Sequence, residues 1–523
     1  MANAKPYYTT DDLIASIKRR ISFPLSQNTF QYSDLVAFLN EEMQLSAVPS
    51  VKMEHEEYFV YKVSVPLVNG VSRYEIPNRA IGMALRDVKY SDSSGNFYDM
   101  SRIAPDDKAF FQQSNGSNQT ISKYYIEGNE IVLTPLVQAG AVGKLNFFIY
   151  LRPNSLVRND RAATIQSFQK DVTISNNANL EVGDSIYIYT GTNTSPTPEQ
   201  YIFTASNKAV STVSTTGLVT VATPHLVKVG ESTTLTLLNV SSVTPEPSVN
   251  GSYVAVATSS TQFQLSGFPT GILTPRTGGT YIFPYEFQIG ATSNSTAAYL
   301  NTAINVANIK GISSNVLTNV VTVTYLDIAT TFESIKKKNP SLGNAFAIDS
   351  TNLYVKFDHL PTTYTDPETM ETGIPLYGVG HLVDFLQTNP GHRTYTYDIP
   401  IANIIGNVGV FAVSDLQTYL NNSSGGTLAF YNIKVGDYIC LANECIIPQI
   451  PPELHNALAE RAASRILMAI GDVQGYQVSQ AKLAEMNKMQ ETLIGSRIEG
   501  SVPKVFNRYS LLRLGKSRFR RRY

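Results

Sequence analysis

The chain has no tryptophan and only two cysteines, Cys440 and Cys445, in 523 residues. Two thiols cannot build a disulfide framework, nor a four-ligand zinc centre by themselves, so buried or incidental thiols are expected. Charge is also scarce: 16% of residues are Asp, Glu, Lys or Arg, against a soluble average of about 25%. The formal net charge is only −1, which excludes a coat for nucleic acid over the whole surface. Aromatics are plentiful, with 30 Tyr and 23 Phe, and that excludes a disordered polyelectrolyte. No apolar run approaches the roughly 18 residues a membrane helix needs; the densest, Phe147–Leu151, is of strand length. The opening Met1-Ala2-Asn3-Ala4-Lys5-Pro6 has no apolar core of a secretory signal, so the expectation is synthesis in a cytoplasm without membrane insertion. The Asn-x-Ser/Thr triplets at Asn115, Asn239 and Asn294 then read as incidental.

Signatures of catalysis are missing as well. The six histidines (His55, His225, His359, His381, His392 and His455) never fall in metal-binding spacing. The stretches His381-Leu382-Val383-Asp384 and Pro390-Gly391-His392 lack the Gly-x-Ser-x-Gly elbow that would activate a nucleophile, and read as loop or turn residues. Asp106-Asp107 follows Pro105 and reads as a helix start or turn rather than an acid/base pair. No phosphate-cradling glycine motif occurs. The expectation is a protein that is not an enzyme, with no cofactor and no metal.

What is present is an asymmetry of charge. Lys504, Arg508, Arg513, Lys516, Arg518, Arg520, Arg521 and Arg522 meet no acidic residue up to Tyr523. With these eight removed, the first 503 residues carry 33 basic and 42 acidic groups, a net −9. An acidic body thus ends in a +8 tail.

Periodicity divides the chain. Thr9-Thr10-Asp11-Asp12 offers a helix cap, and Leu13, Ile14, Ile17 and Ile21 recur at helical spacing until Pro24. Ser33 offers a second cap before Leu35, Phe38, Leu39 and Met43. From Tyr58 the period becomes two, as in Tyr58–Leu67, Ile131–Thr134 and Lys144–Leu151. Between about 159 and 377 the texture turns to Thr, Ser, Val and Asn. One pattern there holds Phe203-Thr204-Ala205 and resumes at Phe287, followed by a helix from about Thr296 to Val306 and the strand Val320–Tyr325. Inside it lies a second, with a tight turn at Val229-Gly230 and a hairpin signal at Asn250-Gly251. Pro451-Pro452-Glu453 then starts a helix with the stripe Leu454, Leu458, Ala462, Ile466 and Ile470. Another is predicted from about Val478 to Ile498, with Leu483, Met486, Met489, Leu493 and Ile494 among its apolar residues.

The expected fold is therefore α+β and multidomain: a helical base of N-terminal helices plus two long C-terminal helices, an antiparallel β platform, and nested mainly-β inserted domains. The boundaries read as 1–50 (N-terminal helices), 51–165 (platform, first part), 166–377 (insertion), 378–450 (platform, second part), 451–503 (C-terminal helices) and 504–523 (tail). Within the insertion an outer module of 168–205 and 283–330 surrounds an inner module of 206–282.

The tail admits three readings: a solvated terminus, a nucleic-acid arm in which arginines and aromatics meet phosphates and bases, or a peg in a groove of a protein partner. The peg is favoured, because Leu511, Leu512 and Leu514 add apolar anchors that a plain DNA arm has less use for. Its candidate residues are Arg508, Tyr509, Leu511, Leu512, Arg513, Leu514, Lys516, Arg518, Phe519, Arg520, Arg521, Arg522 and Tyr523.

The stretch Pro448-Gln449-Ile450-Pro451-Pro452-Glu453-Leu454-His455-x-x-Leu458-Ala459-x-Arg461-Ala462-Ala463, then Ile466-Leu467-x-Ala469-Ile470-Gly471-Asp472, a second helix and a basic peg resemble the helical base of head–tail adaptor (neck or ring) proteins of tailed bacteriophages, especially short-tailed and crAss-like ones. Tyr74-Glu75-Ile76-Pro77-Asn78-Arg79-Ala80, Tyr150-Leu151-Arg152-Pro153 and Asp384–His392 agree with it. The resemblance covers about residues 9–165 and 375–523; compact members of the family lack so large an insertion. It implies a structural virion protein in the neck, commonly in twelve copies, that docks on the portal, carries the next tail ring, nozzle or fibre protein, and lets double-stranded DNA pass without specific binding. The alternative is a tail-associated protein whose β insertion contacts host glycans or a fibre.

Overall fold

The computed structural model describes residues 7–21, 30–107, 123–134, 143–190, 199–336, 342, 344–388, 394–420 and 433–494. They form helices and mainly antiparallel sheets, the α+β, multidomain class expected. No helix among the described residues is long and apolar enough to cross a membrane. The chain divides into two compact units. One joins residues up to Asn159 with those from Cys445 onward; the other is Asp160–Glu444.

The first unit begins with the helix Thr10–Arg20, closed at its start by a capping box in which Thr9 and Asp12 satisfy each other's backbone N–H groups. Its Leu13, Ile14 and Ile17 are buried. Each contributes roughly 2 kcal/mol by leaving water. The second helix, Tyr32–Glu42, starts one residue before the expected Ser33 cap, because Asp34 instead accepts from the Gln31 N–H at 2.9 Å. It runs through a π segment, Met43–Ala47, into the helix Val48–Glu54. There Val48 N–H reaches back to Met43, and Pro49, which has no N–H to give, follows. The helix His455–Ala469 is the hub of these elements. Ala457, Ala459, Ala462 and Ala463 are buried along it, and such small side chains let neighbouring helices approach closely.

The last described helix spans Val473–Ile494, five residues ahead of the expected start at Val478. Gly471 takes φ 79° to end the preceding helix. Asp472 then caps the new one by accepting from Gly475 N–H at 2.9 Å. The cap outweighs the poor helix propensity of Gly475, which the periodicity alone could not register.

The β part of this unit is a small sandwich. One sheet has the order Val60–Pro66, Gly143–Leu151, Ala80–Asp92, Phe97–Asp99; the other has Arg73–Glu75, Glu130–Thr134, Lys123–Glu127, Ser101–Arg102. Phe147, Ile149, Val88, Ile131 and Leu133 meet in its core. On the outer face of the first sheet Asn146 is buried in a polar row, bonded to Ser64 and, at 3.0 Å, to Ser91.

The second unit is built on the strand Ala163–Ile174. Early in its length it pairs with Tyr438–Leu441 on one side and Asn352–Phe357 on the other, and further along with Val320–Tyr325. Leu382–Leu386 and Thr394–Pro400 extend the Tyr438–Leu441 side. This corrects the expected domain boundaries: the described strands between 378 and 444, among them Leu382–Leu386, Thr394–Pro400, Val408–Ala412 and Tyr438–Leu441, do not complete the platform of 51–165 but belong to the same sheet as Ala163–Ile174. A two-residue period says that a segment is a strand, but not which strand it pairs with.

A four-stranded sheet (Glu286–Gln288, Glu199–Ser206, Ser185–Thr190, Thr331–Ile335) is covered by the helix Ser293–Val306, whose Ala297, Leu300, Ala303 and Ile304 pack on Ile186, Ile188, Phe203 and Phe287. Between its strands the chain departs into a sheet of seven segments, running from Arg276–Thr277 through Val210–Val213, Leu218–Val221, Gln262–Ser266, Gly251–Ser259 and Ser232–Leu238 to Thr280–Ile282. The first and last are consecutive in the chain, so the sheet closes on itself as a small barrel filled by Phe263, Tyr281, Leu235 and Leu237. Asn250-Gly251 is not the tight hairpin expected. The connection spans residues 239–250, and the Asn250 amide bonds both the N–H and the C=O of Val240 (2.8 and 3.3 Å), closing the long loop as a strand residue would.

Candidate partner-binding surface

The thirteen peg residues, Arg508 to Tyr523, lie outside the described residues. What is described is the helical structure that leads to them.

Three ionic contacts tie that structure together. Arg20, in the last turn of Thr10–Arg20, reaches Glu460 at 2.8 Å, and Glu460 also accepts from Ser479 at 2.8 Å. The buried carboxylate thus joins three helices. Arg465 reaches Glu41 at 2.6 Å and also pairs with Glu42; the bond to Glu41 is the main cause that lifts its pKa further.

Arg461 differs. It lies one turn before Arg465, and its guanidinium donates to the neutral Asn487 side chain at 2.7 Å. Burial lowers its pKa, and the pull of Glu42 only partly opposes this. Around it opens a groove of 590 Å³ between the helices, lined by Glu42, Ser464, Met468, Tyr476, Gln480 and Asn487 among others. Gln480 bonds Ser464 at 2.8 Å across its floor. Met468, Ile470 and Val473 are exposed at the turn between the two helices. Among the described residues of Val473–Ile494 only Ser479 and Leu483 are buried, while Val478 and Met489 face solvent. Arg, Tyr and Met are residue types enriched where proteins meet.

The other residues singled out in the sequence take ordinary places. Cys440 and Cys445 are buried free thiols, and Cys445 Sγ donates to the Asn154 carbonyl at 3.3 Å. Asp106 and Asp107 lie in a 3-10 turn. His381 Nδ1 bonds the Leu376 carbonyl at 2.8 Å, and Asp384 is fully buried, accepting from Asp398 N–H at 3.0 Å. His392 lies outside the described residues. Among the described residues no three His, Cys, Asp or Glu side chains gather as metal ligands.

Sequence reasoning noted Arg461 only as part of a motif. A usable signal was there: a long cation set among Ala459, Ala462 and Ala463, on a helix otherwise built for close packing. Tyr476 and Asn487 carried no such signal. No protein-family model matches the chain, and no curated protein matches it.

Proposed function

We propose that this chain is a structural protein of a phage virion that forms a neck ring, docks on the portal and connects capsid to tail around the DNA channel. The observation that supports it best is the helical base. Helices from both ends of the chain pack on His455–Ala469, and the long helix after it points the sequence toward a +8, leucine- and aromatic-bearing tail. In this reading the tail is the peg for the portal, copies of the chain, twelve by the family resemblance, form the ring, and the role is structural rather than catalytic. DNA passes without specific contact, which suits a body of net −9, since like charge disfavours sticking. Deleting Leu511–Tyr523 should abolish docking on the portal while circular dichroism and the melting temperature stay unchanged. A truncated protein that still docks at full occupancy would sink the proposal.

One observation favours a second reading, in which the inserted unit contacts host glycans. On the strand Ser185–Thr190, Ile186 and Ile188 face the core, and Tyr187 and Tyr189 stack on the opposite face with ring centroids 6.0 Å apart. Gln200 and Glu333 flank them, both bonded to the Tyr189 hydroxyl. Aromatic rings beside amide and carboxylate groups suit sugar recognition. In this reading, replacing both tyrosines by alanine lowers adsorption to host cells and leaves head–tail joining intact.

A further inference from the structure

We propose that the groove around Arg461 receives a carboxylate from a second copy of this chain, so that copies associate head to tail through it. The inference deepens the ring reading and rests on it.

The argument starts from a cation that makes no ion pair among the described residues. Arg20 and Arg465 each meet a carboxylate within the unit, whereas the hydrogen-bond partner of Arg461 is a neutral amide. A guanidinium presents five N–H donors in a flat fork that fits a carboxylate with two parallel bonds. Withdrawing such a cation partly from water is unfavourable, Glu42 offsets this only in part because it is bonded to Arg465, and an arriving carboxylate offsets the rest. The groove is large enough for a side chain, at 590 Å³. Exposed Met468, which lines it, and exposed Ile470 and Val473 at the turn that follows in the chain offer the incoming segment apolar surface to bury beside the ion pair.

The same chain supplies acid in excess elsewhere. Between Asp160 and Glu444 there are twenty Asp and Glu against twelve Lys and Arg, a net −8. Nearly the whole acidic excess of the body therefore sits in the unit that does not hold the groove. An Arg-bearing surface on one unit and acid on the other make the contact heterologous, the kind that closes into rings or runs on as filaments.

Sedimentation velocity of the full-length chain over rising concentration, at low and high salt, tests this. The wild type should self-associate, less so in high salt. Arg461→Glu should weaken association by about tenfold or more. Asn487→Asp is the sharper variant: it gives Arg461 a carboxylate inside its own chain, so association should fall similarly while the melting temperature holds or rises. A wild type that stays monomeric throughout, or an Asn487→Asp chain that associates as the wild type does, would overturn the inference. Ring-sized particles that persist in both variants would leave the ring reading standing and remove the groove from it. Open runs of copies that never close and are lost in both variants would keep the groove and remove the ring, whereas association that stops at a dimer would overturn the head-to-tail contact itself.

Discussion

At the scale of single residues, Asp349 is the clearest titration lever. Burial opposes its charge, but hydrogen bonds from Thr351, Asn352 and Tyr354 prevail and hold its pKa well below the usual carboxylate range. A group whose pKa is depressed by folding contributes stability above its unfolded value, about 3.9 for an aspartate. That contribution is lost as pH falls toward the folded value. Asp349→Asn should therefore lower the melting temperature near neutral pH, and the gap from wild type should narrow as pH drops below about 4. A gap that stays constant across that range would mean the aspartate acts by shape alone.

At the scale of elements, the barrel depends on one glycine. Gly279 lies between Arg276–Thr277 and Thr280–Ile282, the two segments that close the sheet, and has φ 85°. A Cβ there would meet Val240 N at 2.7 Å and Leu238 O at 2.8 Å, backbone atoms that cannot turn aside. Gly279→Ala should cost about 2 kcal/mol or more, read by denaturant unfolding and by faster amide exchange at Tyr281 and Ile282. Elements of this kind mark the limit of what was legible. The capped helix at Thr10 and the strands Val60–Pro66 and Val320–Tyr325 could be read from local pattern, because capping chemistry and alternation are written in neighbouring residues. Closure of the barrel, the partners of Ala163–Ile174 and the groove at Arg461 could not, because each joins residues far apart in the chain. The tail was legible as chemistry, eight cations interleaved with Leu and aromatics; Arg461 became a candidate only once Asn487 was beside it.

At the scale of the molecule, the chain leaves the first unit after Asn159 and rejoins it at Cys445. Val157 N–H donates to the Cys445 carbonyl at 2.9 Å, so the two strands of the first unit that flank the insertion lie side by side. Arg161 holds Glu444 at 2.6 Å, so the ends of the second unit are clasped as well. Each unit has its own buried core. Joining Asn159 to Cys445 through a short Gly/Ser link should give a protein with helical circular dichroism and cooperative melting, and Asp160–Glu444 alone should also melt cooperatively. Failure of either piece to fold in isolation would mean that the cores are not independent.

That arrangement also sets a timetable for synthesis. Thr10 N–H bonds the carbonyl of Ile446 at 2.8 Å, and its hydroxyl reaches the same carbonyl across 436 positions of sequence. At ordinary translation rates the ribosome takes roughly 20 to 90 seconds to cover that distance. Until then Leu13, Ile14 and Ile17 have no hub helix to cover them, while the inserted unit can already fold. The helical base is thus the last part of the chain to be completed. A prematurely terminated chain keeps its apolar stripe uncovered, where chaperones and proteases can find it.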